Sequence, residues 1–271
     1  MPRTRPWEVH DQLWKQVEPL IPQAPSHAKG GRPRLADRQA FEAIVSVLRT
    51  GIQWNALPRE LGASSTVHDR FQEWERAGFF KTLWQAGLNT YDDLSGIQWE
   101  WQAVDGAMTK SPCGCAATGA NPTDRGKKGV KRSILTDGAG IPLAIVIDGA
   151  NRHDMKLLCA TLAGIVIARP EPTQAQPQHL CLDAGYDYPA NREEAEMHHY
   201  LPHIRDRGQE QQEKITTPGF RARRWVVECT HSWLNRSRRI LVRWEKKAEN
   251  YLAFLHLACA QLIFAKLLVF G

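Results

Sequence analysis

The segment KGVKRSILTDGAGIPLAIVIDGAN, residues 128–151, constrains the fold more than any other stretch of this 271-residue chain. Two apolar runs rich in β-branched residues flank Gly138-Ala139-Gly140, a pattern that reads as a β-hairpin. Upstream, IQWEWQAVDGAM alternates like a strand and is expected to end at Asp105-Gly106. Downstream come a helix from Asp154 to about Ile167, a short apolar strand in HLCLDAGYD with Asp183 at its end, a helix over 189–199 and a strand in YLPHIRDR. Strands interleaved with helices in that order predict an α/β fold, a mixed sheet flanked by helices.

The front of the chain reads as all-α. A helix is expected over 8–22 and another from Asp37 to Gly51, where Phe41, Ile44, Val45 and Leu48 recur at helical spacing. Between them PSHAKGGRPRL is a linker whose Gly-Arg-Pro-Arg core either lies in a DNA minor groove or simply connects. WNALPRELGASSTVHDRFQEWERAG predicts helix, turn, helix, with Gly62-Ala63 as the turn and Ser64 or Ser65 as the cap. Val67, Phe71 and Trp74 would face inward, leaving His68, Arg70, Gln72 and Arg76 outside, the arrangement of a helix-turn-helix DNA reader. A further helix runs to about Leu94, after which the pattern changes. The expected division is therefore a helical domain over 1–95, read as DNA-binding, and an α/β domain over 96–271.

The net charge of +6 is local. Nine Lys/Arg and two acids lie in residues 221–247, RARRWVVECTHSWLNRSRRILVRWEKK, a sum of +7 that leaves about −1 for the rest. A concentrated basic stripe fits a polyanion, most often nucleic acid. The six cysteines show one C-G-C at 113–115 and no second pair at zinc-finger spacing, which fits a reduced, cytoplasmic setting. The N-terminal MPRTRPWEVH has no apolar core of a secretory signal. YLAFLHLACAQLIFAKLLVF reads as a buried closing helix rather than a membrane span, because His256, Gln261 and Lys266 interrupt it.

Asp105 and Asp183 both occupy strand ends, where functional groups of α/β folds cluster. If 221–247 is one helix, Val226, Val227, Thr230, Trp233, Leu234, Ser237, Ile240, Leu241 and Trp244 form its buried arc. Arg224, Glu228, His231, Asn235, Arg238, Arg239 and Arg243 then form the opposite, polar arc. Glu228 is there either the salt-bridge partner of Arg224 or a third carboxylate aimed at the two aspartates. Three carboxylates without a convergent His or Cys set favour Mg2+ or Mn2+. Two such ions a few ångströms apart suit phosphodiester chemistry.

The chain resembles bacterial insertion-sequence transposases of the DDE type, in the insertion-sequence-five family. The resemblance rests on GGRPR, LRTGIQWNALPRELG and STVHDRFQEWERAG in the front half. In the back half it rests on VDGAMTK, KKGVKRSILTDGAGIPL, GANRHD, LDAGYD, RRWVVECTHSWLNRSRRI and NYLAFLHLA. It implies a ribonuclease H-like catalytic domain in which Asp105, Asp183 and Glu228 are the catalytic and metal-binding triad for two Mg2+ or Mn2+ ions. It implies double-stranded DNA as partner: terminal inverted repeats are bound, cleaved to free 3′-hydroxyls, and joined to target DNA by at least a dimer. A bacterial, nucleoid-associated location follows. DNA contacts are expected from Arg224, Asn235, Arg236, Arg238, Arg239, Lys127, Lys128, Lys131, Arg132, Arg70 and Arg76, with His153, Asp154, Tyr186 and His231 supporting the triad.

The wider group carries Tyr-x2-Arg-x3-Glu-x6-Lys around the glutamate. Arg224 matches the arginine, whereas Arg221 and Asn235 stand at the tyrosine and lysine positions, and Cys229 and Ser237 where relatives carry Arg and Phe. The rival readings are a non-catalytic DNA-binding relative and a ribonuclease H-like nuclease without strand transfer.

Overall fold

The computed structural model describes residues 7–24, 33–204 and 223–267. Gly31 and Arg32 of the Gly-Arg-Pro-Arg linker core, Arg221 and the end of YLPHIRDR lie outside them, while Arg34 pairs with Glu73 of α3 (Ser64–Arg76).

The hairpin forms as its glycines require. β3 (Lys128–Thr136) and β4 (Pro142–Gly149) pair antiparallel around Gly140, whose φ of 83° admits few other residues. β1 (Trp101–Lys110) pairs antiparallel with the other edge of β3, and a short β2 (Gly119–Ala120) joins the start of β3. On its far side β1 pairs parallel with β5 (His179–Leu182), and β5 pairs parallel with β6 (Leu201–Ile204). The order β4-β3-β1-β5-β6, three antiparallel strands continued by two parallel ones, is a mixed α/β sheet of the ribonuclease H-like kind.

Helices cover both faces. α5 (Leu158–Ala163) packs on β3 and β4, and α6 (Pro189–Met197) on β6. α7 (Trp225–Leu234) packs on β1 and β3 from the opposite side, and α8 (Ala248–Lys266) on β4. With both faces occupied, β3 is buried from Gly129 to its end, charged residues included. α8 is long and apolar enough to cross a membrane, but 61% of its apolar window is buried in the protein.

The front half is helical: α1 (Asp11–Val17), α2 (Asp37–Thr50), α3 (Ser64–Arg76) and α4 (Phe79–Ser95). Its core is aromatic. Phe41, Phe71, Trp74, Phe79 and Phe80 are buried, and Phe254 of α8 stacks on Phe71 at 4.6 Å between centroids. α8 thus packs against α3 and α4 as well as against the sheet.

Four expectations need correction. The first helix of the expected helix-turn-helix is two short 3-10 turns, Trp54–Ala56 and Arg59–Leu61, because Pro58 between them supplies no backbone donor. The cap position before α3 falls on Ala63 and carries no side-chain hydrogen bond, so neither Ser64 nor Ser65 is the cap. Arg70 and Gln72 are buried rather than outside: Arg70 pairs with Asp37 and donates to the Leu35 carbonyl, and Gln72 donates to Asn250 of α8. The helix expected over the basic run ends at Leu234 and gives way to a 3-10 turn at Arg238–Ile240. Arg239 and Arg243 therefore leave the polar arc and are buried, whereas Leu241 and Trp244 are exposed.

Candidate active site

β1 does not end at Asp105, which is the fifth of its ten residues. The parallel neighbour restores the strand-end geometry. β5 pairs with β1 only as far as Cys181 opposite Ala103, then leaves the sheet after Leu182. Asp183 follows at the level of Asp105, just past the end of the β1–β5 pairing, the kind of strand-end position where α/β folds open a cleft.

Register decides which way Asp105 points. On β3, Arg132 donates to Asn235 at the end of α7, whereas Ser133 accepts from Thr161 of α5. Successive strand residues face opposite sides and directly paired residues face the same side. Asp105 pairs with Ile134 and so projects towards α7; Gly106 pairs with Ser133 and faces α5. His231 of α7 accordingly lies with Nε2 3.4 Å from the Asp105 carbonyl oxygen and 3.8 Å from Oδ2. On the other face, a Cβ at position 106 would overlap Asp154 Oδ1. The glycine after Asp105 thus lets the Asp154 carboxylate lie against the strand, and a larger residue there would displace it.

Asp183 caps the 3-10 turn Ala184–Tyr186, its Oδ1 accepting from the Gly185 N–H at 2.6 Å. Glu228 stands in the first turn of α7, its side chain 56% exposed and 3.5 Å from Arg224 Nε. Burial pushes the Asp105 carboxyl up to about 6; the Gly106 N–H opposes this, while the charges of Asp183 and Glu228 push the same way. The Asp105 carboxylate therefore feels the other two. Burial and the Arg132 charge press His231 down to about 3, so its imidazole is neutral beside Asp105. Burial, then the charges of Asp154, Asp105 and Asp183, raise the Tyr186 phenol far above its usual range. Lys131 Nζ holds Asp154 Oδ2 at 2.8 Å, while the buried Oδ1 has no partner.

Asp105, Asp183 and Glu228 lie near enough for the charges of the other two to act on Asp105, although their oxygens do not all come within 4.8 Å of one another; an all-oxygen set of this kind suits a hard divalent cation, which would relieve that repulsion. A pH dependence follows. Asp105 binds its proton more tightly folded than unfolded, so it penalises folding as pH rises from about 4 to about 6. Asp105→Asn should stabilise the metal-free protein by on the order of 2 kcal/mol at pH 7 and by little at pH 4. Thermal melts at the two pH values check this; equal shifts at both would contradict it.

The residues expected at DNA divide into two groups. Arg76, Lys127, Lys128, Arg236 and Arg238 are exposed, and Arg224 and Asn235 are partly so. Arg70, Lys131, Arg132 and Arg239 are buried and held by Asp37, Asp154, Asn235 and Glu245 respectively. Arg132 places a guanidinium beside Asn235, where the wider group carries a lysine. His153 is exposed, its ring edge-on to Tyr188 at 5.9 Å.

Residues 102–263 match the family model described as "Transposase DDE domain". The chain belongs to the DDE transposase family. In keeping with that family, residues 9–84 match a second model, "Putative transposase of IS4/5 family (DUF4096)". This DDE-family chain is 38% identical over 149 residues to the "Putative transposase for insertion sequence element IS402" of Burkholderia cepacia, covering 52% of this chain and 66% of that protein. It is 33% identical over 107 residues to the "Insertion element IS402 uncharacterized 16.2 kDa protein" of the same organism, covering 38% and 73%. The chain thus spans just under two thirds of the first of these relatives. Among solved structures, the Mos1 strand transfer complex is 12% identical, with a TM-score of 0.31, over 90% of this chain and 79% of that one.

Proposed function

We propose that the chain is a DDE transposase that binds the terminal inverted repeats of its insertion sequence, cleaves DNA by two-metal hydrolysis and transfers the 3′-hydroxyl ends to target DNA. What supports this reading is the match of residues 102–263 to the DDE family, together with Asp105 on β1, Asp183 after β5 and Glu228 on α7 lying near enough for the latter two charges to act on the first. Membership of the family supplies the reaction class.

Asp105, Asp183 and Glu228 would hold two Mg2+ or Mn2+ ions. When bound, these ions polarise the phosphodiester and activate the attacking oxygen. Arg224 orients the Glu228 carboxylate. Neutral His231 buttresses the strand that carries Asp105, and Asp154 with Lys131 packs against Gly106 from behind. The exposed cations Arg236, Arg238, Lys127 and Lys128 contact DNA phosphates near the cleft. Arg76 does so from α3, in a reading unit spanning 1–95 with the catalytic unit over 96–271. Joining two ends requires at least two copies, acting in the bacterial cytoplasm on nucleoid DNA.

The test is a joining assay with purified protein, MgCl2, labelled DNA carrying the element's ends, and plasmid target. Joined products support the reading. Binding without nicking would instead favour a non-catalytic DNA-binding relative, and nicking without joining a nuclease. A salt titration tests the interface. Arg236→Gln with Arg238→Gln should flatten the slope of log affinity against log salt by about 0.9 per lost phosphate contact. An unchanged slope would leave both arginines merely solvated.

A further inference from the structure

Outside the cleft, one group of side chains has the chemistry of a different kind of metal site. Cys159 on α5, and Glu194 and His198 on and just after α6, bring Sγ, a carboxylate oxygen and an imidazole nitrogen within 4.8 Å of one another. Glu194 and His198 are four residues apart, so the helix sets them on one face, with His198 Nε2 3.2 Å from Glu194 Oε1. Cys159 comes from the neighbouring helix, and the Glu194 carboxylate beside it pushes its thiol pKa up. The cluster is accessible: Cys159 is exposed, and the side chains of Glu194 and His198 are 21% and 31% exposed.

We propose that Cys159, Glu194 and His198 form a second metal site, one that takes a borderline-soft divalent cation, Zn2+ foremost, and is separate from the three carboxylates of the cleft. Tetrahedral zinc with sulfur, nitrogen and oxygen ligands separates those ligand atoms by roughly 3.3–3.6 Å. The imidazole nitrogen and carboxylate oxygen already stand 3.2 Å apart, and the sulfur lies within 4.8 Å of a ligand atom of each, so rotamer adjustments can close the site. A thiolate and an imidazole in the donor set select against Mg2+. The fourth position opens to solvent and would take water. On binding, the Cys159 thiol loses its proton to solvent and the Glu194 contact is exchanged for the metal.

The consequence is mechanical. α5 follows the segment that carries Asp154, and α6 follows the turn that carries Asp183 and Tyr186. An ion here ties together the two helices that anchor those turns without touching the cleft.

Cobalt substitution tests it on the full chain, reduced and stripped of metal. One equivalent of Co2+ should give thiolate-to-metal absorption and tetrahedral ligand-field bands, displaced by Zn2+. Cys159→Ser should abolish the charge-transfer band, and His198→Ala should weaken affinity on the order of a hundredfold. Asp105→Asn should leave both unchanged, which separates this site from the cleft. Zn2+ should also raise the melting temperature of the parent and of Asp105→Asn, but not of His198→Ala. Saturable bands absent from the parent would overturn the proposal. So would bands that survive Cys159→Ser but vanish when Cys113 and Cys115 are changed.

Discussion

Glu228→Gln should leave folding and DNA binding intact yet lower the rate of strand nicking by at least about three orders of magnitude, on the order of 4 kcal/mol of transition-state stabilisation. The side chain is more than half exposed and its ion pair with Arg224, at 3.5 Å, is solvent-screened, so the isosteric amide costs the fold little. What it removes is one of the three carboxylates proposed to hold the cation. Asp183→Ala should match it in rate. Asp105→Asn should match it in rate while raising metal-free stability, because the amide no longer pays for burying a charge among two others. Single-turnover nicking of end-labelled DNA reads all three. A Glu228→Gln rate within about tenfold of the parent would sink the assignment of that residue.

Arg243→Met should be the most destabilising single change in the basic run, costing about 3–5 kcal/mol and roughly 6–10 °C in Tm. The side chain is fully buried. Its Nε donates to the Glu245 carbonyl, Nη1 to the carbonyls of Ala116 and Ala117, and Nη2 to that of Lys246. Methionine fills much of the volume but leaves four carbonyl oxygens short of a donor. Lysine restores the charge but not the planar fork, and should recover less than half of the loss. Urea melts of the three proteins settle the order; a Tm drop under about 2 °C for Arg243→Met would mean that water replaces the guanidinium.

How much of this was legible in the sequence depends on what each residue answers to. The β3–β4 hairpin was legible because glycine and β-branched periodicity are local. So was the delivery of Asp183, since a short apolar run followed by Asp-Ala-Gly specifies strand and turn together. Asp105 was recognised but placed at a strand end, because alternation fades after Gly106 into half-buried Ala107, Met108 and Thr109. Only the β3 register, running to Lys110, shows the strand continuing. The basic run misled more. A helical wheel treats every arginine as solvent-seeking, yet Arg243 is drawn inward by carbonyls from residues 116 and 117, and Arg239 by Glu245 and the Ile52 carbonyl. Those acceptors are remote in sequence or lie after the helix has ended. Arg70 misled for the same reason, its partner Asp37 lying 33 residues away. Glu228 falls on an exposed helical position, as the wheel expects, because it sits within the part of the run that is helical.

The closing helix α8 sets a schedule for making the protein. Gln72 and Asn250, hydrogen-bonded across the junction, are 178 residues apart. At about 5–20 residues per second, a ribosome needs roughly 10–35 s to get from one to the other. Through that interval Phe71 waits for Phe254 with its aromatic face uncovered, so the front half is an unfinished surface during synthesis. Crowded polysomes, rather than the completed protein, are then where this chain is most exposed to aggregation.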